Sequence, residues 1–191
     1  MTRILHSELV RGFEWTTERY HRAIELGLLT QEDRVELLLG DLIETMPIGE
    51  DHAITVEGLG EYFYERLGTA YRLRSENPVT LPNNSEPEPD YVIAKKGPKG
   101  QRKHHPTAEE VCLLIEVAKQ TIDKDRGVKA PIYADAGILE YWIINLNTYT
   151  VEVHTRPAIG QGVYRSIIHY AAGERFVSDF LGEVVVSDLL P

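Results

Sequence analysis

The sequence predicts a mixed α/β fold, in which helices pack against one sheet whose strands do not all run in the same direction. Amphipathic helical segments alternate with strand-like runs in the order helix, hairpin, helix, strands, helix, strands, which differs from a regular βαβ repeat. The run VCLLIEVA at 111–118 is almost continuously apolar, which is typical of a central strand covered on both faces. With 191 residues the chain can bury a core of its own, so we expect 1–191 to form a single domain.

The first predicted elements are a helix, a hairpin and a second helix. Residues 17–29 carry apolar side chains at helical spacing, with a threonine as the N-terminal cap. Residues 35–46 (VELLLGDLIETM) are predicted to form two strands joined by a tight turn at Gly40-Asp41. Residues 52–67 have a second amphipathic helical pattern with one apolar side.

The rest of the chain supplies further strands and one more helix. Strand-like runs occupy 71–81, 90–94 and 111–118. A polar stretch can form a helix from about Asp123 to a glycine cap at Gly137, although Pro131 would kink this helix or delay its start. A second hairpin is predicted at 140–154, turning near Asn145–Thr148, and short strands follow it.

Composition and the lack of common motifs narrow the class of protein. Hydrophobic residues make up 42% and charged residues 26% of the chain, as in ordinary globular proteins. No signal-peptide core or membrane-length apolar run occurs and the lone Cys112 has no disulfide partner, so we expect a cytoplasmic protein. No glycine-rich phosphate loop, Gly-x-Ser-x-Gly elbow, HExxH motif or cysteine pair occurs, which disfavours nucleotide hydrolases, serine hydrolases and zinc sites.

Positive charge is concentrated in one segment of a chain whose net charge is −10. Residues 95–105 (KKGPKGQRKHH) contain five Lys or Arg and no acid. The net charge argues against a nucleic-acid partner, but this segment has the composition of a phosphate-contacting loop. A solvated surface loop is the alternative, because runs of like charge are usually only solvated. The candidate nucleic-acid-binding residues are Lys95, Lys96, Lys99, Arg102 and Lys103.

Two acids fall at the ends of successive predicted strands. Asp90 opens one strand, and Glu116 lies near the end of the apolar strand that follows. If the two strands are neighbours, both carboxylates project from the same end of the sheet. Carboxylate oxygens are the hard ligands that Mg²⁺ or Mn²⁺ requires, with other positions left open for phosphate oxygens. The sequence therefore predicts a metal site that could act on phosphodiesters.

Each of these acids also has a purely structural interpretation. Glu116 lies within apolar residues and should be buried, which is costly unless it is paired or bound to metal. A salt bridge to Arg126 or Lys129 would satisfy it. Asp90 follows a proline, and acids in that position often merely start a turn or strand.

Other polar residues could complete the site. Asp125 and Lys129 are four apart and share a helix face, so Lys129 could orient a water molecule or stabilise the pentacoordinate phosphate. The alternative is a surface ion pair. Glu36 could add a third carboxylate to the metal, or could face solvent and pair with Arg34. His52, just before the second helix, is a supporting candidate and could be only a helix-start residue.

Several blocks of this sequence resemble one known family. They are RVELLLGDLIETMP, the helix led by His52, PEPDYVI, LLIEVA and DRGVKAPIYADAGILEYWIINL. Together they cover about 16–190 and resemble the Uma family of restriction endonucleases, a branch of the PD-(D/E)XK nuclease superfamily. The resemblance implies a restriction-endonuclease-like core of αβββαβ order, preceded here by an extra N-terminal helix and hairpin. It also implies that Asp90 and Glu116 are metal ligands and that Glu36 is a supplementary acid.

The sequence departs from the superfamily pattern at the catalytic lysine. The superfamily has lysine two residues after the second acid, where this chain has Ala118. The Uma family is similar in this respect, and the resemblance implies that a lysine from the following helix takes the role. Lys129 is the best candidate, and Lys119 and Lys124 are nearby substitutes.

The leading functional hypothesis is a Mg²⁺-dependent DNA endonuclease, with Mn²⁺ as a possible substitute ion. A homodimer is expected with it, because a dimer can place two such sites on opposite strands of DNA. One alternative is a non-catalytic DNA-binding or protein-interaction member of the same fold, which Ala118 would favour. Another is a metal-dependent hydrolase of a different phosphoester, which the negative net charge would favour.

Overall fold

The computed structural model describes residues 12–47, 49–97 and 104–191. Within these ranges the helices are α1 (Thr17–Glu25), α2 (Glu50–Arg66), α3 (Ile122–Lys124) and α4 (Ala130–Asp135), with a π-helical turn at Asp125–Lys129 between the last two. The strands are β1 (Val35–Leu38), β2 (Asp41–Glu44), β3 (Tyr71–Ser75), β4 (Tyr91–Lys95), β5 (Val111–Ala118), β6 (Glu140–Asn145), β7 (Thr150–Ala158), β8 (Val163–Ala171), β9 (Arg175–Ser178) and β10 (Gly182–Val185). Short 3₁₀ turns lie at Gln31–Asp33 and Val186–Leu189.

A six-stranded sheet in the order β3-β4-β5-β6-β7-β8 forms the centre of the fold. Strands β5 and β6 run parallel, and the other neighbours in this sheet are antiparallel. A parallel pair needs a long crossover, and α3, the π-helical turn and α4 supply it. The mixed sheet is therefore confirmed, and α2, β3–β5, the crossover and β6 follow the predicted αβββαβ order. Helix α1 and the β1–β2 hairpin precede that core, as expected.

Apolar side chains cover both faces of the central sheet. One buried cluster joins Leu59 and Phe63 of α2 to Ile115 of β5, and the β9–β10 hairpin packs against the same cluster. The opposite cluster joins Leu114 of β5 to Ile132 of the crossover. The prediction that 111–118 is a central strand covered on both faces is confirmed, and such burial explains its continuous apolar run.

The first hairpin turns one residue earlier than predicted. Leu38 pairs with Asp41, so the loop residues are Leu39 and Gly40, with φ of 50° and 78°. Two-residue hairpin loops take positive φ at both central positions, and glycine adopts such angles without steric cost. The predicted turn at Gly40-Asp41 was wrong because it placed the glycine first in the loop instead of second.

Helix α1 is shorter than predicted and ends at Glu25 rather than at residue 29. Its N-terminal cap is a threonine, as predicted, since the Thr16 side chain accepts a hydrogen bond from the Arg19 N–H at 3.2 Å. Gly27 takes a left-handed φ of 69°, and the Leu28 N–H bonds back into the last turn. This glycine motif ends the helix although the apolar spacing continues past it.

Two other boundaries differ slightly from the sequence prediction. Helix α2 begins at Glu50 instead of residue 52. The β6–β7 turn occupies 146–149, one residue later than predicted, because Asn145 still pairs with Thr150.

The crossover contains a wide turn that the sequence did not predict. It starts at Ile122, close to the expected Asp123, and Gly137 follows its end with a φ of 81°, as expected of a terminal glycine. The Ala130 N–H bonds to the carbonyl of Asp125, five residues back, which defines a π-type turn. Pro131 has no N–H and lies near the start of α4, where this wide turn accommodates it.

None of the helices within the described ranges is both long enough and apolar enough to cross a lipid bilayer.

Candidate active site

The pairing of β4 with β5 brings the two predicted acids together. Tyr91 lies opposite Ile115 in this antiparallel pair, so Asp90 comes opposite Glu116 at the same end of the sheet. Oδ2 of Asp90 accepts a hydrogen bond from the Val117 N–H at 2.6 Å, which holds the carboxylate against β5. Both acids line a cleft of about 660 Å³ between the sheet, α1, the N-terminal end of α2 and the crossover.

Glu116 is buried and accepts two hydrogen bonds on one oxygen. Its side chain is 5% exposed, and Oε1 lies 2.8 Å from Nζ of Lys129 and 2.9 Å from the hydroxyl of Tyr133. Burial raises the pKa of Glu116 well above its usual range, Lys129 opposes that rise, and the nearby Asp125 and Asp90 add to it. Burial thus disfavours the charged form of Glu116, and a cation bound beside it would favour that form.

Lys129 is a buried cation placed between two carboxylates. Its Nζ lies 2.8 Å from Oε1 of Glu116 and 3.5 Å from Oε2 of Glu36. Burial alone would lower the pKa of Lys129, but Glu116 and Glu36 outweigh that effect and raise it. Lys129 is thus a charged partner of the predicted metal ligand. The Arg126 alternative is wrong, because Arg126 pairs with Glu152 instead.

Glu36 does not face solvent and does not pair with Arg34. Its side chain is 1% exposed, and Oε1 accepts a hydrogen bond from the ammonium of Lys124. Oε2 accepts one from the Glu88 N–H at 3.2 Å. Both oxygens are therefore engaged within the protein. Arg34 donates instead to the carbonyl of Met46.

The three candidate lysines differ in what they contact. Lys129 reaches Glu116, and Lys124 reaches Glu36. Lys119 is half exposed and pairs with Asp51, an exposed residue of α2, outside this cluster. Ala118, where the superfamily has lysine, is fully buried in the core beneath the crossover. The choice of Lys129 among the three is supported by its direct contact with Glu116.

Asp125 and His52 also lie in the cleft. Asp125 is 2% exposed, and burial raises its pKa even though Lys129 opposes the shift. Its Oδ2 has no hydrogen-bond donor among the described residues. Nε2 of His52 lies 3.0 Å from Oδ1 of Asp90. Burial would lower the pKa of His52, but Asp90 outweighs it, and the pKa is raised.

The predicted basic segment begins at the opposite end of β4 from Asp90. Lys95 is the last residue of β4, and Asp90 precedes the first residue of that strand, so they stand about 16 Å apart along it. Lys95 and Lys96 are exposed. Lys99, Arg102 and Lys103 lie outside the described residues.

Tyr133 is a site residue that sequence reasoning did not single out for this position. It is fully buried and shares Oε1 of Glu116 with Lys129. The signal was present in the sequence, because Tyr133 follows Lys129 by four residues and such residues share a helix face.

The donor set suits a small divalent cation with open positions. Asp90 and Glu116 supply carboxylate oxygens at one end of the sheet. Among the residues that the structure describes, no three His, Cys, Asp or Glu side chains are grouped to hold a metal ion. Two carboxylates with water and substrate phosphate completing the shell are a usual arrangement for Mg²⁺. Asp90 and Glu116 thus fit the ion that the fold implies.

The family and the fold are shown by comparison with known proteins. The Uma2 family model, described as a putative restriction endonuclease, matches residues 17–187. The chain belongs to this family. A solved structure of a putative nuclease belonging to DUF820 from Anabaena variabilis matches with a TM-score of 0.62 and 18% sequence identity, covering 92% of this chain and 97% of that one. No curated protein matches the chain. The Uma2 resemblance predicted from the sequence is confirmed, and the chain shares its fold with the DUF820 protein.

Proposed function

We propose that this Uma2 protein is a Mg²⁺-dependent endonuclease that hydrolyses DNA phosphodiester bonds in the cleft. The observation that carries the proposal is the grouping of Asp90, Glu116 and Lys129 at one end of the sheet. Two acids and one cation are the groups that metal-assisted phosphodiester hydrolysis requires. Membership in a family of restriction endonucleases supports the same reaction class.

Each of the three residues has a distinct task in this proposal. Asp90 and Glu116 hold the ion, and Mn²⁺ can replace Mg²⁺ because both accept oxygen ligands. When bound, the ion polarises the phosphate and lowers the pKa of the attacking water. Lys129 carries positive charge beside Glu116, where it stabilises negative charge that develops on the phosphate. Tyr133 and Val117 donate the hydrogen bonds that fix the two carboxylates.

A lysine beside Glu116 is the feature that supports catalysis by this fold. Ala118 leaves β5 without a lysine of its own, and Lys129 of the crossover supplies the cation. Here a lysine from the crossover is buried against the acid at 2.8 Å, despite the free-energy cost of burying an ammonium group.

Substrate and assembly complete the proposal. The exposed Lys95 and Lys96, with Lys99, Arg102 and Lys103 of the same segment, would contact DNA phosphates beyond the cleft.

A homodimer would present two clefts to the two strands of the DNA. Strand β8 lies at the edge of the six-stranded sheet and exposes Ile167 and Ile168, which makes it the best candidate for the contact between copies.

Nicking of supercoiled plasmid DNA tests the proposed activity. The wild-type protein should nick plasmid with Mg²⁺ or Mn²⁺ and lose activity with a chelator. Glu116→Gln and Lys129→Met should each lower the rate by about 100-fold or more, because they remove an ion ligand or the cation beside it. Glu44→Gln is the matched control, since Glu44 is an exposed acid of β2. Equal nicking by wild type and Glu116→Gln would mean that the cleft is not the active site.

A further inference from the structure

Glu36 is fully engaged by the protein itself. Lys124 binds Oε1, and the Glu88 N–H binds Oε2 at 3.2 Å. Burial would raise the pKa of Glu36, but Lys129 and Lys124 outweigh it, and the pKa is lowered. The carboxylate is therefore ionised and has cations on the sides that a metal ion would approach.

Lys129 separates Glu36 from Glu116. Its Nζ is 2.8 Å from Oε1 of Glu116 and 3.5 Å from Oε2 of Glu36, so the ammonium lies between the two acids. A metal ion bound by Glu36 together with Asp90 and Glu116 would have to share this space with the ammonium. Lysine and glutamate side chains instead alternate in a row, in the order Lys124, Glu36, Lys129 and Glu116.

The π-helical turn explains how two lysines reach one acid. In an α-helix, residues five apart point about 140° away from each other, because each residue turns the helix by about 100°. In a π-type turn the hydrogen bonds join residues five apart, so Lys124 and Lys129 lie nearly above one another. Both ammonium groups therefore face Glu36 of β1. The π-helical turn thus places both lysines against the buried carboxylate of Glu36.

We propose that Glu36, held by Lys124, is a positioning residue for the Lys129 ammonium and not a ligand of the metal ion. The inference deepens the proposed function and rests on it for the role of Lys129. Asp90 and Glu116 would hold a divalent cation, and the Lys129 ammonium would then share the charge of Glu116 with that cation. Glu36 then keeps the ammonium beside the reacting phosphate.

Activity measured against metal concentration separates the two roles of Glu36. Glu36→Gln should lower the maximal nicking rate by about 10- to 100-fold and leave the Mn²⁺ concentration for half-maximal activity unchanged. Asp90→Asn, which removes a proposed ligand, should raise that concentration by about tenfold or more. Lys124→Met, whose side chain is partly exposed, should act like Glu36→Gln but more weakly. Glu44→Gln is again the control.

A second measurement does not depend on nuclease activity. The buried ammonium of Lys129 should exchange slowly with water and give an NMR signal in ¹⁵N-labelled protein, assigned by its loss in Lys129→Arg. Glu36→Gln should broaden or abolish this signal while Mn²⁺ affinity, measured by calorimetry, stays within about twofold of wild type. Circular dichroism and thermal unfolding confirm that each variant is folded.

The outcomes decide the proposal in either direction. An unchanged Lys129 signal in folded Glu36→Gln, or a fall in Mn²⁺ affinity like that of Asp90→Asn, would overturn it. Wild-type protein that nicks no DNA would refute the proposed activity alone, because the NMR and calorimetric results would still report on Glu36 and Lys129.

Discussion

At the scale of single residues, the site depends on the hydrogen bonds that the Glu116 carboxylate accepts. Oε1 of Glu116 accepts hydrogen bonds from Lys129 and Tyr133, which leaves the other oxygen available to a metal ion. A carboxylate that hydrogen bonds already orient loses less conformational entropy when it binds an ion. Tyr133 should therefore affect metal affinity without touching the metal.

Removal of that hydroxyl tests this role. Tyr133→Phe keeps the buried ring and its contact with Tyr141, and should weaken Mn²⁺ binding by about tenfold, measured by isothermal titration calorimetry. Tyr164→Phe is the matched control, because the buried Tyr164 hydroxyl donates to the carbonyl of Ile138, which is not a site residue. An equal loss of affinity in both variants would show a general effect of packing.

The sequence predicted some of these residues and not others for physical reasons. Asp90 and Glu116 could be predicted because a strand start and a strand end meet when neighbouring strands run antiparallel. The surroundings of Glu36 could not, because its partner Lys124 lies 88 residues away and no local pattern reports such a contact. The strand pattern alone was consistent with a solvent-facing acid paired to Arg34.

At the scale of elements, the π-helical turn is the feature that sets the geometry of the lysines. A wide turn is less stable than an α-helical one and is often retained where function needs it. Gly127 lies within this turn, and a Cβ added there would meet nothing within 4 Å. Its φ is not in the left-handed region, so the turn does not require glycine.

Replacement of this glycine should stabilise the protein. Gly127→Ala should raise the free energy of unfolding by about 0.5–1 kcal/mol, because alanine loses less backbone entropy than glycine on folding. Differential scanning calorimetry should show a melting temperature higher by about 1–4 °C. Gly27→Ala gives the opposite control, since Gly27 has a φ of 69° and alanine there is strained. A lower melting temperature for Gly127→Ala would mean that the π-helical turn needs the freedom of glycine.

Element types were easier to predict than element ends. The apolar periodicity of α1 continues past its end, and only the left-handed Gly27 stops the helix at Glu25. The first hairpin was placed correctly, but its turn was displaced by one residue because both Leu39 and Gly40 take positive φ. Residue types indicate positive φ angles only weakly, whereas the pattern of apolar residues indicates burial strongly.

At the scale of the whole molecule, an ion pair ties the crossover to the sheet. Arg126 of the π-helical turn binds both carboxylate oxygens of Glu152 in β7, and the Nε of Arg126 lies 3.0 Å from each oxygen. Burial would raise the pKa of Glu152, but the neighbouring His154 and Arg126 outweigh it and lower the pKa to about 2. The charged form is therefore favoured by folding, and its contribution to stability depends on pH.

Acid unfolding should reveal that contribution. The usual pKa of this carboxyl is 4.5, so its stabilising effect is complete above that pH and is lost as the pH falls towards about 2. Glu152→Gln should thus melt below wild type at neutral pH, and the difference should shrink between pH 4.5 and 2 in scanning calorimetry. Glu183→Gln is the control, because the Arg175–Glu183 pair is exposed and contributes little. A difference that does not vary with pH would mean that Glu152 acts through packing alone.

The division of the site between sheet and crossover has a consequence for control of the proposed activity. The strands carry the proposed ion ligands, while Lys124, Lys129 and Tyr133 all arrive on the connection between β5 and β6. Local opening of that connection would withdraw both side-chain donors from Glu116 and both lysines from Glu36 at once, yet the strands could stay paired. A partner that loosens or clamps this one segment would switch the proposed nuclease activity off or on without ever entering the cleft.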